Sequence, residues 1–155
     1  MVTAERNKKF NWWLPVVLSL AVVLVYLNSL SVPLFWDDQA LIVENPYIKD
    51  FRNIRYILTS DLFRGGTSAF YRPMQTIFYG VIYHLFKLSA PAYHWLNIVL
   101  HGVATILLFT LLSQLYPRFV SFFATLIWAV HPLHTEAVTY VSGTADPLSV
   151  AFGLG

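Results

Sequence analysis

Long apolar stretches dominate this chain, and short groups of charged residues separate them. Residues 10–36 carry no charge, are rich in Val and Leu, and have aromatic residues at both ends. At ~1.5 Å of rise per residue, a helix over this stretch can cross a hydrocarbon core of ~30 Å. Aromatic residues at both ends match the interfacial belts of membrane helices. The pattern therefore predicts a first membrane span over residues 10–36.

Three basic residues, Arg6, Lys8 and Lys9, precede this first span. The positive-inside rule then places the N-terminus in the cytoplasm and the segment after residue 36 on the outer or lumenal side. A cleaved signal peptide is the alternative interpretation. The apolar stretch is too long for a signal peptide, however, and no small-residue cleavage site lies near its end.

Residues 37–70 form a polar segment that we expect to be the first outer loop. Within it, Asp50 can cap a helix that begins at Phe51. Apolar residues then recur at spacings of three and four, while charged residues lie off that stripe. This pattern predicts an interfacial helix over residues 51–63 that lies on the bilayer surface.

Three more apolar stretches follow the outer loop. Residues 71–88 are borderline in length for a span, residues 93–116 are long enough, and residues 119–133 would give only ~22 Å of helix. A second outer loop is expected over residues 134–146. The apolar run that starts at Pro147 is too short to span, so we interpret the sequence as the N-terminal part of a longer protein.

Whether residues 71–88 span the membrane decides which polar groups can meet. If they span, residues 131–146 face the cytoplasm, opposite Asp37. If they form a surface or re-entrant helix, residues 131–146 return to the side of Asp37. Lys87 and Arg118 fit the positive-inside rule equally well in the two arrangements. We favour the surface or re-entrant helix, because intramembrane ionisable groups usually serve a common site.

The composition places the chain among multi-pass integral membrane proteins with an all-α fold. Of its 155 residues, 57% are hydrophobic and 12% are charged. A typical soluble domain has about 25% charged residues. The formal net charge of +2 gives no indication of nucleic-acid binding. The chain contains no cysteine, which excludes disulfides and thiolate metal sites within it.

Two adjacent carboxylates, Asp37 and Asp38, follow the first span directly. They are either a simple polar stop after the span or a reaction centre. Like-charge repulsion and desolvation at a membrane edge both favour a protonated carboxyl group. A carboxylate whose pKa is raised in this way can accept a proton from a hydroxyl at neutral pH. The functional interpretation is therefore a general base or a metal site.

A second polar cluster contains His131, His134 and Glu136. The two histidines share one face if a helix continues through them, and two histidines with a carboxylate can bind a metal. Pro132 interrupts such a helix, so we assign no metal ligands and leave a divalent metal open. The alternative is a loop at the membrane edge in which the histidines form hydrogen bonds.

Arg72 and Asp146 each precede a proline at a predicted helix start. Asp146 is expected to be the N-cap of the helix from Pro147, whose N-terminus can also attract a phosphate or a carboxylate. Arg72 can bind a phosphate through two parallel hydrogen bonds, or it can extend from the interface into water. His94 and His101 are expected to form hydrogen bonds with neighbouring helices.

Four motifs follow one another along the chain: FWDD (35–38), YRPM (71–74), YHWLNIVLH (93–101) and HPLHTEAV (131–138). Together they resemble the transmembrane and tetratricopeptide-repeat O-mannosyltransferase family and its bacterial relatives, and the last motif is the most specific. The resemblance covers roughly residues 33–155. It departs after Gly143, where Thr144 replaces a basic residue, so support for a donor-phosphate contact there is lost.

The resemblance implies the N-terminal part of a GT-C glycosyltransferase fold, with interfacial helices in the first outer loop. Such enzymes act at the outer or lumenal face of the bacterial inner membrane or the endoplasmic reticulum. By position, Asp37 matches the catalytic Asp and Asp38 its partner. Related enzymes also have a surface helix after the first loop, which matches residues 71–88, and an acidic residue where Asp146 stands. Tetratricopeptide repeats are expected beyond this chain.

We therefore expect a glycosyltransferase that passes mannose or another hexose from a polyprenyl-phosphate carrier to a hydroxyl of a protein or glycan. Asp37 and Asp38 are the expected catalytic residues. The donor phosphate or the acceptor is expected to contact a further set of polar residues: Arg72, His131, His134, Glu136 and Asp146. No cofactor is assigned, because the lipid-linked sugar is a substrate, and a divalent metal is left open. This chain alone is expected to be inactive. The rival interpretations are a transporter or flippase subunit whose carboxylates relay protons or ions, and a bilayer anchor without chemistry.

Overall fold

The computed structural model describes residues 12–59, 61–62 and 70–155, and over these residues the chain is helical without a β-strand. This confirms the all-α fold. The three N-terminal basic residues, the start of the predicted first span and the end of the predicted interfacial helix lie outside the described residues. The described part contains these α-helices: α1, Trp13–Tyr26; α2, Ile54–Thr59; α3, Pro73–Phe86; α4, Ala90–Leu115; α5, Arg118–Ala129; α6, Thr135–Thr139; and α7, Ala145–Leu154.

Helix α1 continues as a 3-10 turn, Leu27–Ser31, and the helical part of the predicted first span ends there. Val32 is extended, with φ −83° and ψ 130°. Pro33 explains this, because a residue that precedes proline is disfavoured in the helical conformation. The segment from Val32 to Trp36 therefore extends from the helix to the two carboxylates instead of prolonging the helix.

Helices α1, α4 and α5 pack side by side. At one end Val22 and Tyr26 of α1 pack with Ile98 and Ala129, and at the other end Leu14 and Leu18 pack with Phe109. Helix α4 therefore runs opposite to α1 and α5. The segments after α1, before α4 and after α5 consequently meet at one end of this bundle.

Two helical segments in the described part of the chain are long and apolar enough to cross a membrane: Trp13–Ser31 and Ala90–Leu115. Helix α5 has 12 residues, which corresponds to only ~18 Å. It ends at Ala129, before the predicted limit of residue 133, because His131 is extended and Pro132 starts a separate 3-10 turn.

Helix α3 lies at the end of the bundle that carries the two carboxylates. Its 14 residues would cover only ~21 Å. Tyr79 packs edge-on against Tyr93 in the first turn of α4, with 5.9 Å between ring centroids. The hydroxyl of Tyr93 donates to the carbonyl of Lys87 at 2.9 Å, which ties the end of α3 to the start of α4. Gly80 faces the backbone of Ile48, so α3 also packs against the segment between α1 and α2.

The predicted interfacial helix is a 3-10 turn, Phe51–Asn53, followed by α2. Asp50 caps it as predicted, since its carboxylate accepts from the backbone N–H of Arg52 at 2.9 Å. The Arg52 guanidinium holds the pKa of Asp50 below its usual range. Phe51 stacks on His84 of α3 at 4.0 Å between ring centroids. The cap and the stacking position this segment against α3.

Residues 132–144 are a series of short helical turns instead of an open loop: Pro132–His134, α6 and Val141–Thr144. Helix α7 then begins at Ala145, so the prediction of Asp146 as its N-cap is wrong. Thr144 occupies the N-cap position, and Asp146 lies exposed in the first turn. The physical reason is that the Thr144 side chain is bonded inward, which keeps residues 141–144 in a helical turn that leads directly into α7.

Candidate functional site

The two adjacent carboxylates lie on a tight turn at the end of the bundle. The backbone N–H of Asp38 donates to the carbonyl of Phe35 at 3.1 Å, and Trp36 has a positive φ of 52°. A π-helical turn, Gln39–Val43, follows directly. This turn points the side chain of Asp38 into the protein and leaves Asp37 exposed.

Asp38 is fully buried, with 0% of its surface exposed. Its Oδ1 accepts from the backbone N–H of Ser142 at 3.0 Å, and its Oδ2 accepts from the backbone N–H of Phe35 at 3.2 Å. Burial raises the pKa of Asp38 to about 6, the two backbone donors oppose that increase, and Asp37 adds a smaller upward contribution. Asp38 thus joins two segments that are 104 residues apart.

Asp37 has a different environment from its neighbour. Its side chain is exposed, and its backbone N–H donates to the hydroxyl of Tyr140 at 3.2 Å. An exposed carboxylate can meet a substrate hydroxyl, whereas the oxygens of Asp38 are occupied by backbone donors. The tertiary structure therefore separates two carboxylates that are equivalent candidates in the sequence.

A buried network of polar side chains forms hydrogen bonds with residues 140–144. Asn97 of α4 donates to the carbonyl of Tyr140 at 3.0 Å, and the Thr144 hydroxyl bonds to Asn97 Oδ1 and to the carbonyl of Val141. Tyr79 of α3 donates to the same Val141 carbonyl at 2.8 Å. These bonds fix the segment that reaches Asp38 and Asp37.

Gln75 completes this network, donating to the Tyr79 hydroxyl at 2.7 Å and to the Ser142 carbonyl at 2.9 Å. The site residues predicted from the sequence do not include Gln75, Tyr79, Asn97 or Tyr140. The available signal was a polar side chain inside an apolar helix, which applies to Gln75 and Asn97, because such groups need a partner within the protein. Thr144 is buried here, so the position that departs from the family motif serves the network.

Gly143 is expected to be required for this packing. A Cβ at position 143 would lie 2.9 Å from the carbonyl oxygen of Glu136 and 3.1 Å from Cα of Ala137, and both are backbone atoms. Gly143→Ala should therefore lower the free energy of unfolding by about 1–3 kcal/mol, as other overpacked sites do. Thermal unfolding in detergent measures this effect. Gly153→Ala is the control, because nothing lies within 4 Å of its new Cβ, and equal melting temperatures for the two variants would contradict the prediction.

His131 and His134 do not share a helix face, because the backbone changes direction between them. His131 Nδ1 accepts from the backbone N–H of Leu133 at 3.2 Å. The ring of His134 packs against Trp128 at 4.5 Å and against His101 at 5.2 Å between centroids. Burial, and to a lesser degree His131, lowers the pKa of His134. Both histidines therefore hold the connection between α5 and α6.

Glu136 lies exposed in the first turn of α6. In the part of the chain that the structure describes, no group of three His, Asp or Glu side chains is close enough to hold a metal ion. The described residues therefore do not fit a divalent metal.

Arg72 lies half-buried just before α3, with its guanidinium 5.1 Å from the ring centroid of Phe70. It borders a groove of about 300 Å³ between the start of α3 and α7. Burial strongly raises the pKa of Tyr79, and the charges of Asp38 and Arg72 act on it to a smaller extent. Gln75, which belongs to the buried network, also lines this groove. Asp146 lies in the first turn of α7, beside Ala145, which lines the groove.

Comparison with known proteins identifies relatives that are named protein O-mannosyl-transferases. The chain is 33% identical over 148 residues to a protein O-mannosyl-transferase of Caenorhabditis elegans, which covers 90% of this chain and 21% of that protein. It is 32% identical to the protein O-mannosyl-transferase TMTC3 of Mus musculus, over 86% of this chain and 15% of that protein. It is 34% identical to the protein O-mannosyl-transferase Tmtc1 of Drosophila melanogaster, over 83% of this chain and 16% of that protein.

The chain thus spans about a fifth or less of the length of these curated relatives. No protein-family model and no solved structure matches it. The matched region nevertheless covers most of the chain. Over most of its length the chain is therefore a relative of the transmembrane and tetratricopeptide-repeat protein O-mannosyl-transferases, which confirms the family resemblance of its motifs.

Proposed function

We propose that this chain is part of a GT-C glycosyltransferase that passes mannose from a polyprenyl-phosphate carrier to a hydroxyl group on protein. The observation that carries the proposal is the turn with Asp37 and Asp38, in which one carboxylate is exposed and the other is buried and bonded to the backbone of Ser142. The names of the relatives support a sugar transfer to protein.

Asp37 is the proposed general base. Its carboxylate accepts the proton of the acceptor hydroxyl while the hydroxyl oxygen forms a bond with the anomeric carbon of the sugar. The bond between that carbon and the phosphate oxygen breaks, and the phosphate leaves with the electron pair. Attack opposite the leaving group inverts the anomeric carbon. A positioned general base contributes roughly 10²–10⁴ to the rate of such a step.

Arg72 is the proposed partner of the carrier phosphate. Guanidinium groups bind phosphate through paired charge-assisted hydrogen bonds, and positive charge near the leaving oxygen stabilises the negative charge that develops there. The groove beside Arg72 has apolar walls from Met74, Leu148 and Phe152, which suit the prenyl chain of the carrier. Asp146, on the first turn of α7, is proposed to face the polar part of the substrates at this groove.

The remaining candidate residues are proposed to position the site. Asp38 holds residues 140–142 against the first outer loop, and His131 and His134 hold the turn that leads into α6. Glu136 is exposed and is proposed to contact the acceptor. We place the site at the outer face of the bacterial inner membrane or the lumenal face of the endoplasmic reticulum, with a cytoplasmic N-terminus and with α3 lying at the surface.

The test is a transfer assay with the full-length protein in detergent or liposomes. We expect mannose to pass from polyprenyl-phosphate mannose to an acceptor peptide, and no transfer from a nucleotide-linked mannose, because Arg72 and its groove fit a lipid phosphate. The 155-residue chain alone should be inactive. Carboxylate-dependent ion flux in liposomes without any sugar donor, together with absent transfer, would instead support a transporter.

A further inference from the structure

Three aromatic side chains border the exposed carboxylate. The ring centroid of Phe35 lies 6.5 Å from that of Trp36 and 5.2 Å from that of Tyr140, and each pair is tilted by 37°. Trp36 is 82% exposed and Phe35 is 40% exposed, while Tyr140 is half-buried. We refer to Phe35, Trp36 and Tyr140 as the aromatic shelf. Asp37 follows Trp36 in the chain and bonds to Tyr140, so it lies at the edge of the shelf.

The backbone holds the shelf in a conformation that a bulky residue rarely adopts. Trp36 has φ 52°, in the left-handed region, where a side chain crowds its own carbonyl. Two hydrogen bonds between Phe35 and Asp38 stabilise this conformation: the Phe35 N–H donates to the Asp38 carboxylate, and the Asp38 N–H donates to the Phe35 carbonyl. A membrane anchor needs only an exposed Trp, which any backbone conformation provides. This maintained strain indicates that the function requires one particular position of Trp36 relative to Asp37.

Tyr140 has a hydroxyl proton available for a ligand. The Tyr140 hydroxyl oxygen accepts from the Asp37 N–H at 3.2 Å, and the backbone carbonyl of Tyr140 accepts from the Asn97 side chain at 3.0 Å. Within residues 12–59, 61–62 and 70–155, no acceptor takes the phenol proton. A phenol that already accepts a hydrogen bond is polarised and becomes a better donor. Tyr140 is thus fixed at its hydroxyl and at its backbone, and it presents a hydrogen-bond donor beside the carboxylate of Asp37.

We propose that the aromatic shelf binds the hexose ring of the sugar donor. This proposal rests on the proposed function. A hexose has one face of C–H groups, which pack on aromatic rings, and an edge of hydroxyl groups, which need donors and acceptors. The C–H face lies against the shelf, and the Tyr140 hydroxyl donates to one sugar hydroxyl. This arrangement holds the anomeric carbon next to the carboxylate of Asp37.

The experiment uses the full-length protein and polyprenyl-phosphate mannose. Tyr140→Phe removes the proposed bond to the sugar and also the bond from the Asp37 N–H. That N–H is exposed and can bond to water instead, so the variant should raise the KM for the donor about 10-fold and leave kcat within about twofold. Trp36→Leu should raise the same KM further. Phe119→Leu is the matched control, since Phe119 is an exposed aromatic residue at the other end of α5, and it should change neither constant.

If the Tyr140 hydroxyl has only a structural role, Tyr140→Phe would lower thermal stability and kcat together at an unchanged KM, and that result would overturn the proposal.

A binding measurement distinguishes failure of the shelf proposal from failure of the proposed function. If the protein transfers no mannose, Trp36 fluorescence is followed on addition of polyprenyl-phosphate mannose or of the same carrier without sugar, with Trp36→Phe as the blank. Quenching that requires the sugar and is lost in Tyr140→Phe supports the shelf. Equal quenching by both compounds, or none, overturns it.

Discussion

Asp37→Asn in the full-length protein should reduce mannose transfer by a factor of about 10³, at an unchanged melting temperature. The amide of Asn cannot accept the acceptor proton, and the loss of a general base costs roughly 10²–10⁴ in rate. The substitution keeps the backbone N–H that donates to Tyr140. Because the side chain is exposed, the fold loses no buried contact. Initial rates with saturating polyprenyl-phosphate mannose, together with thermal unfolding, measure the two effects.

Glu44→Gln is the matched control for this variant. Glu44 is an exposed carboxylate seven positions further along the chain, and it should keep wild-type activity. Asp37→Glu retains a carboxylate at a longer reach and should restore part of the rate. A rate for Asp37→Asn within about fivefold of wild type would remove Asp37 from the role of base, since general-base catalysis is worth far more than that.

Asp38→Ala is expected to destabilise the fold around the site and not only to slow the reaction. The backbone N–H groups of Phe35 and Ser142 would lose their buried acceptor. Each unsatisfied buried donor costs about 1–3 kcal/mol, so the loss of both acceptors should lower the free energy of unfolding by about 2–6 kcal/mol. Asp38→Asn keeps one acceptor oxygen and should cost about half as much. Asp37→Ala, at the exposed neighbour, is the control and should leave the melting temperature nearly unchanged.

The pH dependence of stability gives an independent test of the raised pKa of Asp38. Its pKa in the folded protein is about 6, raised from 3.8 mainly by burial. The folded state therefore binds a proton that the unfolded state releases between these values, and this contribution to stability is lost as the pH rises through 6. Wild type should lose stability relative to Asp38→Asn between pH 5 and pH 7. The difference between the variants is the readout, because His134, whose pKa burial lowers, acts in the opposite direction. A constant difference across this range would contradict the buried position of Asp38.

Local features of the fold could be predicted from short stretches of sequence. Pro73 begins α3 and Asp50 caps the 3-10 turn before α2, both as predicted. Each depends on one side chain and its neighbouring backbone, so no distant contact is needed. The prediction for Asp146 is wrong because Thr144, whose hydroxyl is bonded to Asn97 and Val141, is drawn into the preceding turn. Residues 97 and 144 come together only through the packing of α7 on α4.

The sequence by itself determined the helical, membrane-type composition, the two long apolar helices and the presence of an acidic pair after the first of them. These properties follow from hydrophobicity and from local turn and cap chemistry. It could not separate Asp37 from Asp38, because adjacent residues have nearly the same local sequence. Only the tertiary structure decided this, since the antiparallel course of α4 brings Ser142 and Tyr140 to the turn. One carboxylate is thereby buried against backbone donors, and the other is left exposed beside the aromatic shelf.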